Sequence, residues 1–131
     1  MDNDPDQFYL AKETSALHNC ATELGRDART ICIRANANAT IDRNGLAQMY
    51  RSGTSVGANV REARFAESRA DYIHKLKIAE KELAEFAYWL GVLCSEPVII
   101  EAVDSDRLVA RIREVRALLS STIRTLKNRP Q

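Results

Sequence analysis

The sequence predicts an all-α fold, a single-domain, up-down antiparallel four-helix bundle spanning residues 1–131. Three observations carry that expectation. Apolar residues recur at alternating steps of three and four in four separate segments, the spacing that places side chains on one stripe of a helix. Hydrophobic residues make up 45% of the chain but aromatics only 6%, and the alanine and leucine that dominate the remainder favour helix over strand. Glycine and proline are scarce, and no alternating apolar run bounded by turn residues reads as a strand.

The first helix is expected over residues 5–36. Asp4 suits an N-cap, Pro5 suits the first helical position because its missing N–H would be unpaired anyway, and Gln7 can reach back to the cap. From there Leu10, Thr14, Leu17, Ala21, Leu24, Ala28, Ile31 and Ala35 form one stripe. Asn36, Asn38, Thr40 and Asp42 are turn and cap residues and mark the first connection.

The second helix is expected over residues 43–66, with Leu46, Met49, Gly53, Val56, Val60 and Ala63 as its stripe. Gly53 and Gly57 lie four apart and predict close approach of a neighbouring helix. No strand precedes them, so a phosphate-cradling loop is the weaker alternative.

Ser68-Arg-Ala-Asp71 opens a third helix, expected over residues 69–95, with the form of a capping box. Tyr72, Leu76, Ala79, Leu83, Phe86, Leu90 and Leu93 make its stripe, and Ser95-Glu96-Pro97 stops it, with a short extra turn expected over residues 98–103. The last helix, over residues 105–128, is expected to be capped by Asp104 or Ser105 and to bury Leu108, Ile112, Val115, Leu119, Thr122 or Ile123, and Leu126. Four amphipathic helices with short links pack with sequence neighbours antiparallel.

Composition excludes several function classes. Cys20, Cys32 and Cys94 are odd in number and widely spaced, so they make neither a disulfide framework nor a metal motif. His18 and His74 stand apart from any ligand-spaced partner, and no Glu-x-x-His pair, nucleophile elbow, Walker loop or dinucleotide fingerprint occurs. No catalytic residue, cofactor, metal or small-molecule substrate is therefore expected. The acidic start lacks the features of a signal peptide, and every apolar run is far shorter than a membrane span, so a cytoplasmic location without membrane association is expected.

Two polar patterns are candidates for function. Ser52, Ser55, Asn59 and Glu62 share one stripe bordering the apolar one, and a mid-helix asparagine competes for backbone groups. Ser55, Asn59 and Glu62, with Glu85 on the third helix and Arg51 or Arg61 as counter-charge, are expected to form a polar seam between helices. The net charge of +1 also hides an asymmetry. Residues 1–27 hold six carboxylates against two cations, whereas residues 105–131 hold seven cations against two carboxylates. In a bundle such ends attract one another or present a face to an acidic partner. Arg107, Arg111, Arg124 and Lys127 approximate a basic ridge and are the candidate nucleic-acid contacts. The rival surface is a protein-docking face around Phe86, Trp89 and Val92.

The stretch Ser55-Val-Gly-Ala-Asn59-Val-Arg-Glu62-Ala63, followed by Ser68, Asp71, Tyr72, Leu76, Ala79, Leu83, Glu85 and Leu90, resembles the four-helix-bundle family of 23S rRNA intervening-sequence proteins. Ala63 stands where that family usually has glycine, and Glu80-Lys81-Glu82 replaces a small-residue step. The resemblance implies a four-helix bundle, often a homopentamer, related to accessory proteins of diversity-generating retroelements that engage nucleic acid and its enzymes. It thus implies a non-catalytic oligomeric accessory or assembly protein that contacts RNA or a nucleic-acid enzyme through basic surfaces. The alternative is a protein–protein scaffold that binds no nucleic acid.

Overall fold

A computed structural model describes residues 5–35 and 37–130, with side chains from residue 16 onward. It contains α1 (Pro5–Arg34), α2 (Thr40–Ala63), α3 (Arg69–Leu93) and α4 (Ala102–Asn128), the all-α architecture that the periodicity predicts. Asp4, Asn36 and the side chains of Gln7, Leu10 and Thr14 lie outside the described residues.

Each helix touches its sequence neighbours, and α1 touches α4, so the four close into a ring around one core. Pairings along each contact run in opposite directions, which makes the bundle antiparallel. Arg51 of α2 reaches Glu82 of α3 while Glu62 reaches Lys75. Cys20 of α1 meets Glu114 of α4, and Arg34 meets Asp104. The α2–α3 contact is the most extensive and the α3–α4 contact the thinnest.

The expected stripes are the core. Leu17, Ala21, Leu24 and Ala28 of α1, Met49, Val56, Val60 and Ala63 of α2, Leu76, Ala79 and Phe86 of α3, and Leu108, Val115 and Leu119 of α4 are all fully buried. Tyr72 is only half-buried, packed at the margin. Alanine on α1 and glycine on α2 line the contact between those helices. A methyl group on Gly57 would stand 3.4 Å from the Ala21 carbonyl, and one on Gly53 would strike the Phe86 ring at 2.8 Å. Gly53 therefore serves close packing against α3, whereas a methyl group at Gly57 would sit at ordinary contact distance from α1.

Helix ends differ from expectation at both ends of α2 and at the start of α4. α2 begins three residues early, at Thr40, behind Ala39, which makes no side-chain cap. Instead the Arg43 guanidinium reaches back, donating to the Asn38 carbonyl at 2.8 Å and to Thr40 Oγ1 at 3.2 Å. α2 also stops at Ala63, because Arg64, Phe65 and Ala66 donate to carbonyls three residues back and tighten the last turn.

Ser68 caps α3 by accepting from the Asp71 N–H at 3.0 Å. Asp71 returns the contact one residue beyond the usual place, accepting from the Glu67 N–H at 3.2 Å. Neither Asp104 nor Ser105 caps α4: the helix starts at Ala102 behind Glu101, and the Asp104 carboxylate is taken by Arg34. No separate turn forms over residues 98–103. The N–H groups of Ile99 and Ile100 both donate to the Leu93 carbonyl, which pulls Ile100 into the core and lets α4 begin at once.

Candidate nucleic-acid interface

α4 carries more Lys and Arg side chains than any other helix, and its helical phase divides them between two flanks. Arg107 and Arg111 face α1. There the buried Asp27 carboxylate accepts from Arg111 Nε at 3.2 Å and forms an ion pair with Arg107 Nη2 at 3.3 Å. Arg111 also lies 3.5 Å from Glu114, whose carboxylate accepts from the Cys20 thiol at 2.9 Å. This flank is a neutralised clamp between α1 and α4. It is the attraction between acidic and basic ends anticipated from the charge asymmetry, for the residues whose side chains are described.

Arg124 and Lys127 lie on the other flank, toward α3. Seventeen residues separate Arg107 from Arg124, and at about 100° each that turns Arg124 about 100° round the helix from Arg107. The four candidate contacts therefore do not share one ridge. The true ridge is Arg113, Arg116, Ser120, Arg124 and Lys127, at steps of three, four, four and three, about 21 Å long at 1.5 Å per residue. All four cations are exposed, and none has an acidic partner among the described residues. Its spacing was readable in the sequence, but only the Asp27 clamp separates the occupied cations from the unoccupied ones.

The C-terminal half of this ridge borders a groove of about 270 Å3 between α3 and α4, the helix pair with the thinnest contact. Lys77 and Glu80 line it from α3, and Ser120, Ile123, Arg124, Lys127 and Asn128 from α4. Lys77 lies 3.4 Å from Glu80. Three cations against one carboxylate leave the groove positive.

The polar stripe of α2 grades from core to solvent. Ser52 is fully buried and donates to the Gln48 and Met49 carbonyls of its own helix. Ser55 and Asn59 are half-buried, and Asn59 Nδ2 donates to the Ser55 carbonyl at 2.8 Å. Glu62 is exposed and pairs with Lys75 at 3.3 Å. Glu85 lies on α3, where its carboxylate accepts from Arg51 and, at 3.2 Å, from Trp89 Nε1. Ser55, Asn59, Glu62 and Glu85 are thus not joined in one network. Ser52 and Asn59 bond within their own helix, and the inter-helix contacts are rim ion pairs, Arg51 with Glu82 and Glu85, and Lys75 with Glu62. The Glu85 hydrogen bond also raises the Arg51 pKa, against desolvation.

On the rival docking face, Phe86 is fully buried and unavailable, Trp89 is half-buried, and only Val92 is exposed. Phe65 is exposed at the α2–α3 connection and Tyr50 and Tyr88 along α2 and α3, while five aliphatic residues are exposed at the other end of the bundle. Ile33 ends α1, Ile41 begins α2, Val92 ends α3, Val98 sits in the last connection, and Val103 begins α4.

Cys20 and Cys32 are poorly suited to nucleophilic chemistry. Burial first, then the Glu114 carboxylate, pushes the Cys20 thiol up to about 12, and burial pushes Cys32 up to about 11. Among the described residues no group of three or more His, Cys, Asp or Glu side chains could hold a metal, and no helix is long and apolar enough to cross a membrane.

A family model for the 23S rRNA-intervening sequence protein matches residues 30–121. The match takes in all of α2 and α3, and it includes Lys77, Arg113, Arg116 and Ser120 but not Arg124 or Lys127. The chain is also similar to a crystal structure of a protein of unknown function from the S23 ribosomal protein family of Bacteroides thetaiotaomicron. The two are 33% identical with a TM-score of 0.77, over 86% of this chain and 98% of the other. No curated protein matches the sequence.

Proposed function

The chain belongs to the family of 23S rRNA-intervening sequence proteins, and from that membership we propose that it is a non-catalytic, oligomeric accessory protein that engages RNA through the basic ridge of α4. The observation that carries this reading is the unequal treatment of the α4 arginines. Arg107 and Arg111 are occupied by Asp27, whereas Arg113, Arg116, Arg124 and Lys127 stand in line without acidic partners among the described residues. Lining up like charges along a helix opposes folding slightly. A row of unoccupied cations is what a phosphate backbone recognises, with no sequence motif required.

Self-association suits the apolar end. Ile33, Ile41, Val98 and Val103 lie 40–81% exposed around the same end of the ring, a surface that a second copy would cover. A homo-oligomer, a pentamer on the family expectation, would multiply the ridge and raise the local positive potential. The three free thiols suit a reducing cytoplasm, and thiols held at about 12 and about 11 support a role without nucleophilic catalysis.

A gel shift against structured RNA over a salt series, with light scattering on the same sample, tests the reading. Affinity should fall with salt at a log–log slope of about −3 to −4 for four phosphate contacts. Absence of a shift at low salt and micromolar protein would remove RNA from the function. The same apolar end favours one rival, a scaffold that binds only protein. A partner captured on the bundle after nuclease treatment, with no RNA shift, would establish that rival instead.

A further inference from the structure

We propose that the α3–α4 groove seats the sugar–phosphate backbone of a nucleic-acid duplex, with Arg124 and Lys127 on phosphates and Lys77 released from Glu80 to a third, and that it reads no bases. This deepens the function proposed above and rests on it.

Three features of the groove define the ligand chemistry. Its charge is positive, with Lys77, Arg124 and Lys127 facing Glu80 alone. At about 270 Å3 it is smaller than the clefts of roughly 300–1,000 Å3 that bury small molecules, so it suits part of a long polyanion lying across it. No aromatic side chain lines it, so it offers no platform on which unpaired bases stack. What it does offer beside its cations is the Ser120 hydroxyl and the Asn128 amide, neutral groups of the kind that position phosphate and sugar oxygens. Arg113 and Arg116 continue the line of contacts along the same ridge.

Glu80 gives the groove a distinctive sign. It holds Lys77 in the absence of ligand, so neutralising it should strengthen binding, whereas the same charge change elsewhere should not. Glu101, exposed at the other end of α4, is the control.

The test uses the full chain and equal-length RNA duplex, DNA duplex and single-stranded RNA of unrelated sequences, titrated by fluorescence anisotropy in a salt series. The double variant Arg124→Ala/Lys127→Ala should bind duplex at least tenfold more weakly and lower the salt slope by about 2. Arg107→Ala, which removes a cation already held by Asp27, should change affinity less than twofold. Glu80→Gln should tighten binding by about two- to fivefold, and Glu101→Gln should leave it unchanged. Tighter binding to one duplex identifies RNA or DNA as the source of the backbone, and equal binding identifies a seat indifferent to the sugar. Circular dichroism checks that each variant folds.

If wild type binds but Arg107→Ala weakens it as much as the groove variant does, or Glu101→Gln strengthens it as much as Glu80→Gln, the groove is wrong and the proposed function survives. A preference for single strands over both duplexes also overturns the groove. If wild type binds no nucleic acid, both fall together.

Discussion

The ring of Phe86 fills the space that a side chain at Gly53 would need, since a methyl group there would stand 2.8 Å from both Cδ1 and Cε1. Phe86 is among the largest fully buried side chains, and its pocket on α2 exists only because residue 53 has none. Gly53→Ala should therefore destabilise the bundle by about 1–3 kcal/mol through overpacking, even though alanine is the better helix former by about 1 kcal/mol. Gly91, with nothing within 4 Å, is the control, and Gly91→Ala should stabilise by about 0.5–1 kcal/mol. Urea midpoints of the two variants check this, and a shift in the same direction for both would count against the packing seen here.

The stripes were legible because burial follows the helical repeat directly, and Leu17 to Ile31 or Leu76 to Leu93 needs no tertiary information. The role of Gly53 was also legible, but not which neighbour it admits. The ends of α2 and α4 were not. Arg34 reaches across from α1 to the Asp104 carboxylate that local rules assign to a cap, and Arg43 holds the start of α2 by a side-chain contact that no local capping pattern contains. The basic site was half legible. A one-dimensional charge count joins Arg107 and Arg111 to Arg124 and Lys127. The carboxylate that separates them comes from Asp27 on α1, and the cation that completes the groove is Lys77 on α3.

Asp27 should matter more for stability than either of its partners. It is 8% exposed, accepts from Arg111 and pairs with Arg107, so Asp27→Ala leaves both guanidinium groups without that carboxylate. A loss of about 2 kcal/mol is expected, the scale of a hydrogen bond to a charged group. Arg107→Ala, at an exposed side chain whose loss leaves Asp27 with Arg111, should stay within about 0.5 kcal/mol. Denaturant melts of the two variants decide the order, and a larger loss for Arg107→Ala would refute it.

Trp89 is the single tryptophan, and its indole N–H donates to Glu85. Glu85→Ala should leave the indole to find water and move its emission to longer wavelength. Arg51→Ala should leave the emission nearly unchanged, because the Glu85 carboxylate stays available to the indole. Both should alter stability by less than about 1 kcal/mol, since Arg51 is half exposed and the ion pair lies at the rim. An equal emission shift in the two variants would mean that Arg51, rather than Glu85, sets the environment of the ring.

His18 should make the bundle sensitive to mild acid. Its Nδ1 is buried and has no hydrogen-bond partner among the described residues. Burial, then the positive charges of Arg64 and Arg61, hold its pKa below the ordinary 6.5. The sign follows from linkage. As pH falls through 6.5 the unfolded chain binds the proton first, and the folded chain binds it only at lower pH. Stability is therefore unaffected well above 6.5, declines as pH drops below it, and levels off once the native imidazole is also charged. His18→Gln should abolish this component, so the fall in melting temperature between pH 7.5 and pH 5.5 should be smaller in the variant than in wild type. Parallel melting curves for wild type and His18→Gln across that window would show that the imidazole is free to charge in the folded state.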